Sequence, residues 1–106
     1  MIATFFEWKI KAGMEEQFRD GWAAITKMLH PAGSYGSSLF TNDKGHYCAF
    51  ALWPDRETRD KAFAPYLEAP TEHHAKMRAA VEDTFHRMDL DCVEEMWRLP
   101  EHVARG

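Results

Sequence analysis

The chain has 106 residues, 45% of them hydrophobic and 13% aromatic, enough for one domain (1–106) with a buried core and too few for two. Its 13 Lys and Arg are scattered among 17 Asp and Glu for a formal net charge of -4, which excludes the basic footprint of a nucleic-acid binder. Met1 to Phe6 lacks a basic leader and runs into Glu7 and Lys9, so the start reads as neither signal peptide nor membrane span, and the expected location is the cytoplasm.

From Ile2 to Lys11 the residues separate into Ile2, Thr4, Phe6, Trp8, Ile10 and Ala3, Phe5, Glu7, Lys9, Lys11, the alternation of a strand with one apolar face. Gly13 breaks it. Phe18, Trp22, Ile25 and Leu29 then recur at helical spacing, and the helix should end near His30 because Pro31 and Gly33 follow. Ser34 to Thr41, softened by Gly36 and its serines, reads as an edge strand, and Asn42-Asp43-Lys44-Gly45 as a turn. His46 to Trp53 is apolar on both faces and must be covered on both. Asp55 caps a short helix expected to reach about Phe63, with Pro65 to Pro70 breaking it. Thr71 caps a longer helix with His74, Met77, Val81, Phe85 and Met88 in one stripe, and Leu90 to Leu99 alternates as a last strand before a tail, 101–106, expected to fray. Cys48 and Cys92 lie in apolar runs without a C-x-x-C partner and read as buried reduced thiols.

The order β-α-β, β-α-β predicts an α+β ferredoxin-like sandwich, a four-stranded antiparallel sheet with its helices on one face. If Tyr47, Ala49, Ala51 and Trp53 face the helices, then Phe5, Phe50 and Leu52 point to the bare face, where an apolar patch marks the interface of a homodimer, two sheets closing a dimeric α/β barrel. Ala49 and Ala51 between Tyr47 and Trp53 leave space under the helices. Met77, Phe85 or Phe63 fills it, or it is a ligand cavity with polar tips from Tyr47, Trp53 and His74.

Lys11-Ala12-Gly13 after the first strand, Pro31-Ala32-Gly33-Ser34 before the second, and Leu52-Trp53-Pro54-Asp55-Arg56-Glu57 opening the second helical half together resemble the antibiotic biosynthesis monooxygenase domains of the dimeric α/β-barrel superfamily, over nearly the whole chain. The resemblance implies a homodimer with an apolar pocket in each subunit. It also implies an oxygenase that oxidises aromatic substrates with molecular oxygen and neither metal nor flavin, or a haem-degrading relative. Quinone-forming members carry Asn four residues before this Trp and Tyr six after it, where this chain has Ala49 and Arg59, so only Trp53 matches. The Asn and Trp of haem-degrading relatives fall at Phe6-Glu7 and Ala62-Phe63, while His73-His74 stands near their His.

His74, on an apolar stripe, is the candidate catalytic residue as general base, with haem ligation and a hydrogen-bonded core-edge role as its alternatives. Trp53, Tyr47, Ala49 and Tyr35 are the candidate substrate-binding residues, and Trp8 and Trp97 read as core or interface anchors. Glu82 and His86 stand i, i+4 with no third ligand in register, so no metal site is expected. The expected function is a cofactor-free monooxygenase-like enzyme for a small aromatic or quinol substrate, with oxygen as co-substrate; a non-catalytic dimeric small-molecule or stress-response module is the alternative.

Overall fold

The computed structural model describes residues 1–100, and the expected fraying of 101–106 lies outside the described residues. The elements are β1 (Ile2–Ile10), α1 (Glu15–Leu29), β2 (Gly36–Thr41), β3 (Tyr47–Trp53), α2 (Arg56–Glu68), α3 (Glu72–Ala79) and β4 (Val81–Asp91), with a 3-10 turn at His30–Ala32 closing α1. The strands form one antiparallel sheet in the order β2-β3-β1-β4, an α+β ferredoxin-like fold with β2 on an edge. Among the described residues no helix is long and apolar enough to cross a membrane.

The even-numbered side of β1 is the core side. Ile2 packs with Leu29 of α1, Trp53 of β3 and Ala62 of α2, while Trp8 packs with Phe18 of α1, Ala49 of β3 and Ala80 after α3. All three helices therefore cover the same face. α3 lies directly on α1 at Gly21, where an added Cβ would stand 2.9 Å from the Met77 Cβ and 3.1 Å from the His73 carbonyl oxygen.

The helix starts follow their caps: Asp55 Oδ1 accepts the backbone N–H of Thr58 at 2.7 Å, and Thr71 accepts that of His74. α2 does not stop at Phe63 but runs to Glu68 with Pro65 inside it. Pro65 lies on the exposed side of the helix, where water can satisfy the Lys61 carbonyl that the proline leaves without a donor.

The long helix expected after Thr71 is instead the eight-residue α3, and Val81, Phe85 and Met88 belong to β4. Ile10 faces Val81, Lys9 faces Asp83, Trp8 faces Thr84 and Phe6 faces Arg87, so β4 carries an extra residue at each of two bulges. Its core-side residues consequently run Val81, Thr84, Arg87, Asp89, Asp91. The expected stripe therefore mixes the two faces, with Val81 on the core side and Phe85 and Met88 on the other. The strand ends at Asp91, so the expected Leu90 to Leu99 strand is not formed, and Cys92 is exposed while Cys48 is buried.

The other sheet face carries Phe5 and Ala3 of β1, Cys48, Phe50 and Leu52 of β3, and Met88 and Leu90 of β4. No helix covers it. Phe85 stacks there on His46, with ring centroids 4.5 Å apart, and His46 Nδ1 lies 2.6 Å from Glu7 Oε2. That hydrogen bond, seconded by Asn42, holds the Glu7 carboxyl below its ordinary pKa.

Candidate functional site

Between the sheet and the helices lies a cavity of about 240 Å³, open on one side. Ala49 and Ala51 form part of its floor, beside Phe6 and Trp53, and Met77 and Phe63 line the space without closing it. Phe85 takes no part, because it lies on the opposite sheet face. The small residues of β3 thus leave a cavity where two neighbouring large ones would have met.

Trp53 is 1% exposed, and Phe63 of α2 meets its ring edge-on at 5.6 Å. Its Nε1–H has no hydrogen-bond partner among the described residues, and neither has the buried Ser37 Oγ on β2, which lines the same cavity. Leaving a buried polar group unpaired costs on the order of 1–3 kcal/mol, and both of these belong to residues that line the cavity. Arg78 and Arg87 are solvent-exposed residues that also line the cavity, and they mark its open side.

His74 lines the cavity at the start of α3 and stacks on Tyr66 of α2, with centroids 5.2 Å apart. Thr71 and His74 form a reciprocal capping box: His74 donates its backbone N–H to Thr71 Oγ1, and His74 Nδ1 accepts the Thr71 backbone N–H at 3.2 Å. The Thr71 hydroxyl also lies 2.8 Å from Nδ1. These contacts require a lone pair on Nδ1, so the neutral ring carries its proton on Nε2. Burial, then Arg78 and His73, push the His74 pKa below its ordinary value and favour that neutral form. The nitrogen that could take a proton is therefore spent on the cap, and the free one is a donor. General-base catalysis by His74 does not follow from this geometry.

The same arrangement makes a test at the level of stability. A His whose folded pKa is lowered contributes stability that is present above its unfolded pKa and is lost as pH falls toward the folded value. His74→Gln, which restores the usual Gln of a capping box, is expected to keep the neutral-pH melting temperature within about 2 °C and to lose less stability than the parent between pH 7 and 5. His74→Ala should cost roughly 1 kcal/mol at neutral pH through the lost cap. Thermal melts across that range, with an acid-side loss unchanged in His74→Gln, would remove the cap from the account.

The structure brings Trp53, Ala49 and His74 together on one cavity and leaves Tyr47 and Tyr35 outside it. The Tyr47 ring packs edge-on against Phe18, and its hydroxyl accepts from Arg19 at 3.0 Å. Tyr35 is 62% exposed, because it precedes β2 rather than lying within it. Phe5, Phe50 and Leu52 lie on the face away from the helices. Trp8 is in the core, whereas Trp97 is exposed. Glu82 pairs with Lys9 at 2.8 Å rather than with His86, and no group of three metal-ligating side chains occurs among the described residues.

Arg87 and Ser37 escaped sequence reasoning. Ser37 reads as one serine of a weak strand, and Arg87 as the outer side of a helix, until the bulges of β4 bring it opposite Phe6. Arg59, where the resembling enzymes place a Tyr, contributes nothing to the cavity: its guanidinium is buried against Thr4 and Asp89. Haem does not fit this site either. His74 offers iron no free lone pair, because Nδ1 accepts the cap and Nε2 carries the ring proton, and a cavity of about 240 Å³ is small for the macrocycle.

No protein-family model and no curated protein matches the chain. Solved structures do. The crystal structure of an antibiotic biosynthesis monooxygenase superposes with a TM-score of 0.64 at 20% identity, over 89% of this chain and all of the other. SnoaB, a cofactor-independent oxygenase from Streptomyces nogalater, gives a TM-score of 0.70 at 14% identity, over 90% of this chain and 95% of its own. The fold is that of the antibiotic biosynthesis monooxygenase structures. Rv0793 from Mycobacterium tuberculosis shares it too, with a TM-score of 0.67 at 14% identity over 89% of this chain and 96% of its own.

Proposed function

We propose that the protein is a cofactor-independent, monooxygenase-like enzyme that takes a small aromatic or quinol substrate into the cavity beneath Trp53 and works as a homodimer. The observation that carries this is the largely apolar cavity itself, lined by the ring of Trp53, whose buried indole N–H has no partner among the described residues. The cofactor-independent oxygenase among the similar structures supports the same chemistry. An electron-rich ring, once deprotonated, can itself reduce oxygen. One oxygen atom then enters the substrate as a carbonyl and the other leaves as water, whose two hydrogens come from the ring methylene of an anthrone or from the ring C–H and the hydroxyl of a naphthol or quinol. For that reaction the chain need only bind the ring, stabilise its anion and keep water from the reacting carbon.

No carboxylate lines the cavity, and His74 Nδ1 is committed to the cap. Those facts favour, as a second reading, a dimeric module that binds the same ligands without turning them over. Oxygen uptake with a panel of hydroquinones, naphthols and anthrones separates the two. The enzyme reading expects consumption above the buffer rate, one carbonyl formed per oxygen, and at least a tenfold loss in Trp53→Phe, which keeps the ring but removes the donor. A rate equal to buffer over the whole panel, with binding still detectable by tryptophan fluorescence, would leave the module.

A further inference from the structure

Among the described residues Arg56 and Arg59 are engaged by carboxylates and Arg19 by a tyrosine hydroxyl, but Arg87 makes no ion pair and no side-chain hydrogen bond. It is not idle. Its guanidinium carbon lies 5.5 Å from the centre of the Phe6 ring and 6.0 Å from that of Phe63, so two aromatic residues of the cavity hold it. A guanidinium stacked on a ring keeps its N–H donors in its own plane, free to take a carboxylate with two parallel hydrogen bonds. Arg78 adds a second positive charge to the lining, which contains no Asp or Glu; Asp89, two residues along β4, and Glu82 and Asp83 lie outside the cavity.

The rest of the cavity completes the ligand's description. Its wall is aromatic, formed by Trp53, Phe63, Phe6 and Tyr66, and its 240 Å³ exceeds the about 150 Å³ that accommodates benzene in an engineered protein cavity. Two of its lining residues, Trp53 and Ser37, have buried side-chain polar atoms without partners among the described residues. We propose that the cavity selects an aromatic carboxylate of one or two fused rings, its carboxylate paired with Arg87 at the open side and an oxygen substituent directed to Trp53 and Ser37. The inference rests on the reading that this cavity is the ligand site, and it adds the charge that the ligand carries. Arg87 is then the residue that sets specificity, since a neutral phenol or quinol fills the ring space without using it.

The test is binding without turnover, under nitrogen and at low ionic strength, by calorimetry and tryptophan fluorescence. The probes are 6-hydroxy-2-naphthoate, its neutral carboxamide, and the corresponding aminomethyl cation. The carboxylate should bind about 10–100-fold more tightly than the carboxamide, the range of a charge-assisted pair, and the cation should not bind measurably. Arg87→Met keeps the apolar stem and should abolish that preference while changing carboxamide affinity less than about threefold; Arg87→Lys, retaining the charge but not the fork, should keep part of it. Equal affinity of the parent protein for carboxylate and carboxamide overturns the proposal whatever the variants do. So does a preference that survives Arg87→Met and disappears in Arg78→Met. Binding of the carboxamide alone leaves the monooxygenase-like reading standing and removes this one, whereas failure of every probe to bind removes both.

Discussion

Replacing Arg59 with methionine is expected to lower the unfolding free energy by about 3 kcal/mol, a loss typical of breaking a buried ion pair by removing one partner. The Arg59 side chain is 5% exposed beneath α2, where one guanidinium nitrogen donates to Thr4 Oγ1 at 2.9 Å and to Asp89 Oδ1 at 2.6 Å. Thr4 is fully buried in β1 and Asp89 lies on β4, so one side chain ties a helix to two strands. Methionine keeps much of the stem but leaves the Thr4 hydroxyl without this donor and Asp89 with only Arg56. The pair also has a pH signature. Arg59 first, and Arg56 after it, hold the Asp89 carboxyl below its ordinary pKa against the opposing effect of burial. Its contribution is therefore complete above the ordinary carboxylate range and is lost as pH falls through the lowered folded value. Urea unfolding at pH 7 and at about pH 2.5, below the ordinary carboxylate range, should show the Arg59→Met deficit shrinking in acid. A deficit under about 1 kcal/mol at pH 7 would mean that the network fills space rather than holding the fold.

Phe50→Glu should have the largest effect on association. Phe50 stands, half-buried, on the sheet face away from the helices opposite Phe5, in a patch continued by Leu52, Met88 and Leu90, with Met88 46% and Leu90 41% exposed. In a two-fold dimer each substitution enters the interface twice, so two unpaired carboxylates would be buried, and the dissociation constant should rise by at least about a hundredfold. The monomer itself should fold, because position 50 points away from the helix-covered core. Sedimentation of both proteins at micromolar concentration measures this directly. A parent protein that sediments as a monomer would leave the apolar face without its proposed partner.

Local chemistry was legible wherever one strong signal governed an element. The alternation of Ile2 to Lys11 predicts both the strand and its core side, the Asp55 and Thr71 caps mark two helix starts, and the doubly apolar His46 to Trp53 marks an inner strand, which the structure begins at Tyr47. β4 was not legible, because the pairing partner that makes its bulges, β1, lies about 75 residues earlier in the chain. That misreading also concealed the site. With residues 81–88 read as helix, Arg87 falls outside the stripe of Val81, Phe85 and Met88, and nothing places it beside Phe6. Trp53 and Ala49 could be named because size contrast along one strand is a local property. Which nitrogen of His74 is free depends on a cap in which histidine stands where Glu or Gln is usual, and that becomes visible only in the geometry.

Gly21 belongs to none of the surfaces a ligand would touch, yet it governs how near α3 can come to α1. Because a methyl group there would press on Met77 and on the His73 carbonyl, the approach of the helix bearing His74, Met77 and Arg78 is limited by a single hydrogen atom. Bore and chemistry are consequently separate dials in this protein. Enlarging residue 21 would shift one wall outward as a rigid plate and alter the largest ring system admitted, while Trp53, Ser37 and Arg87, all mounted on the sheet, would continue to present the same donors.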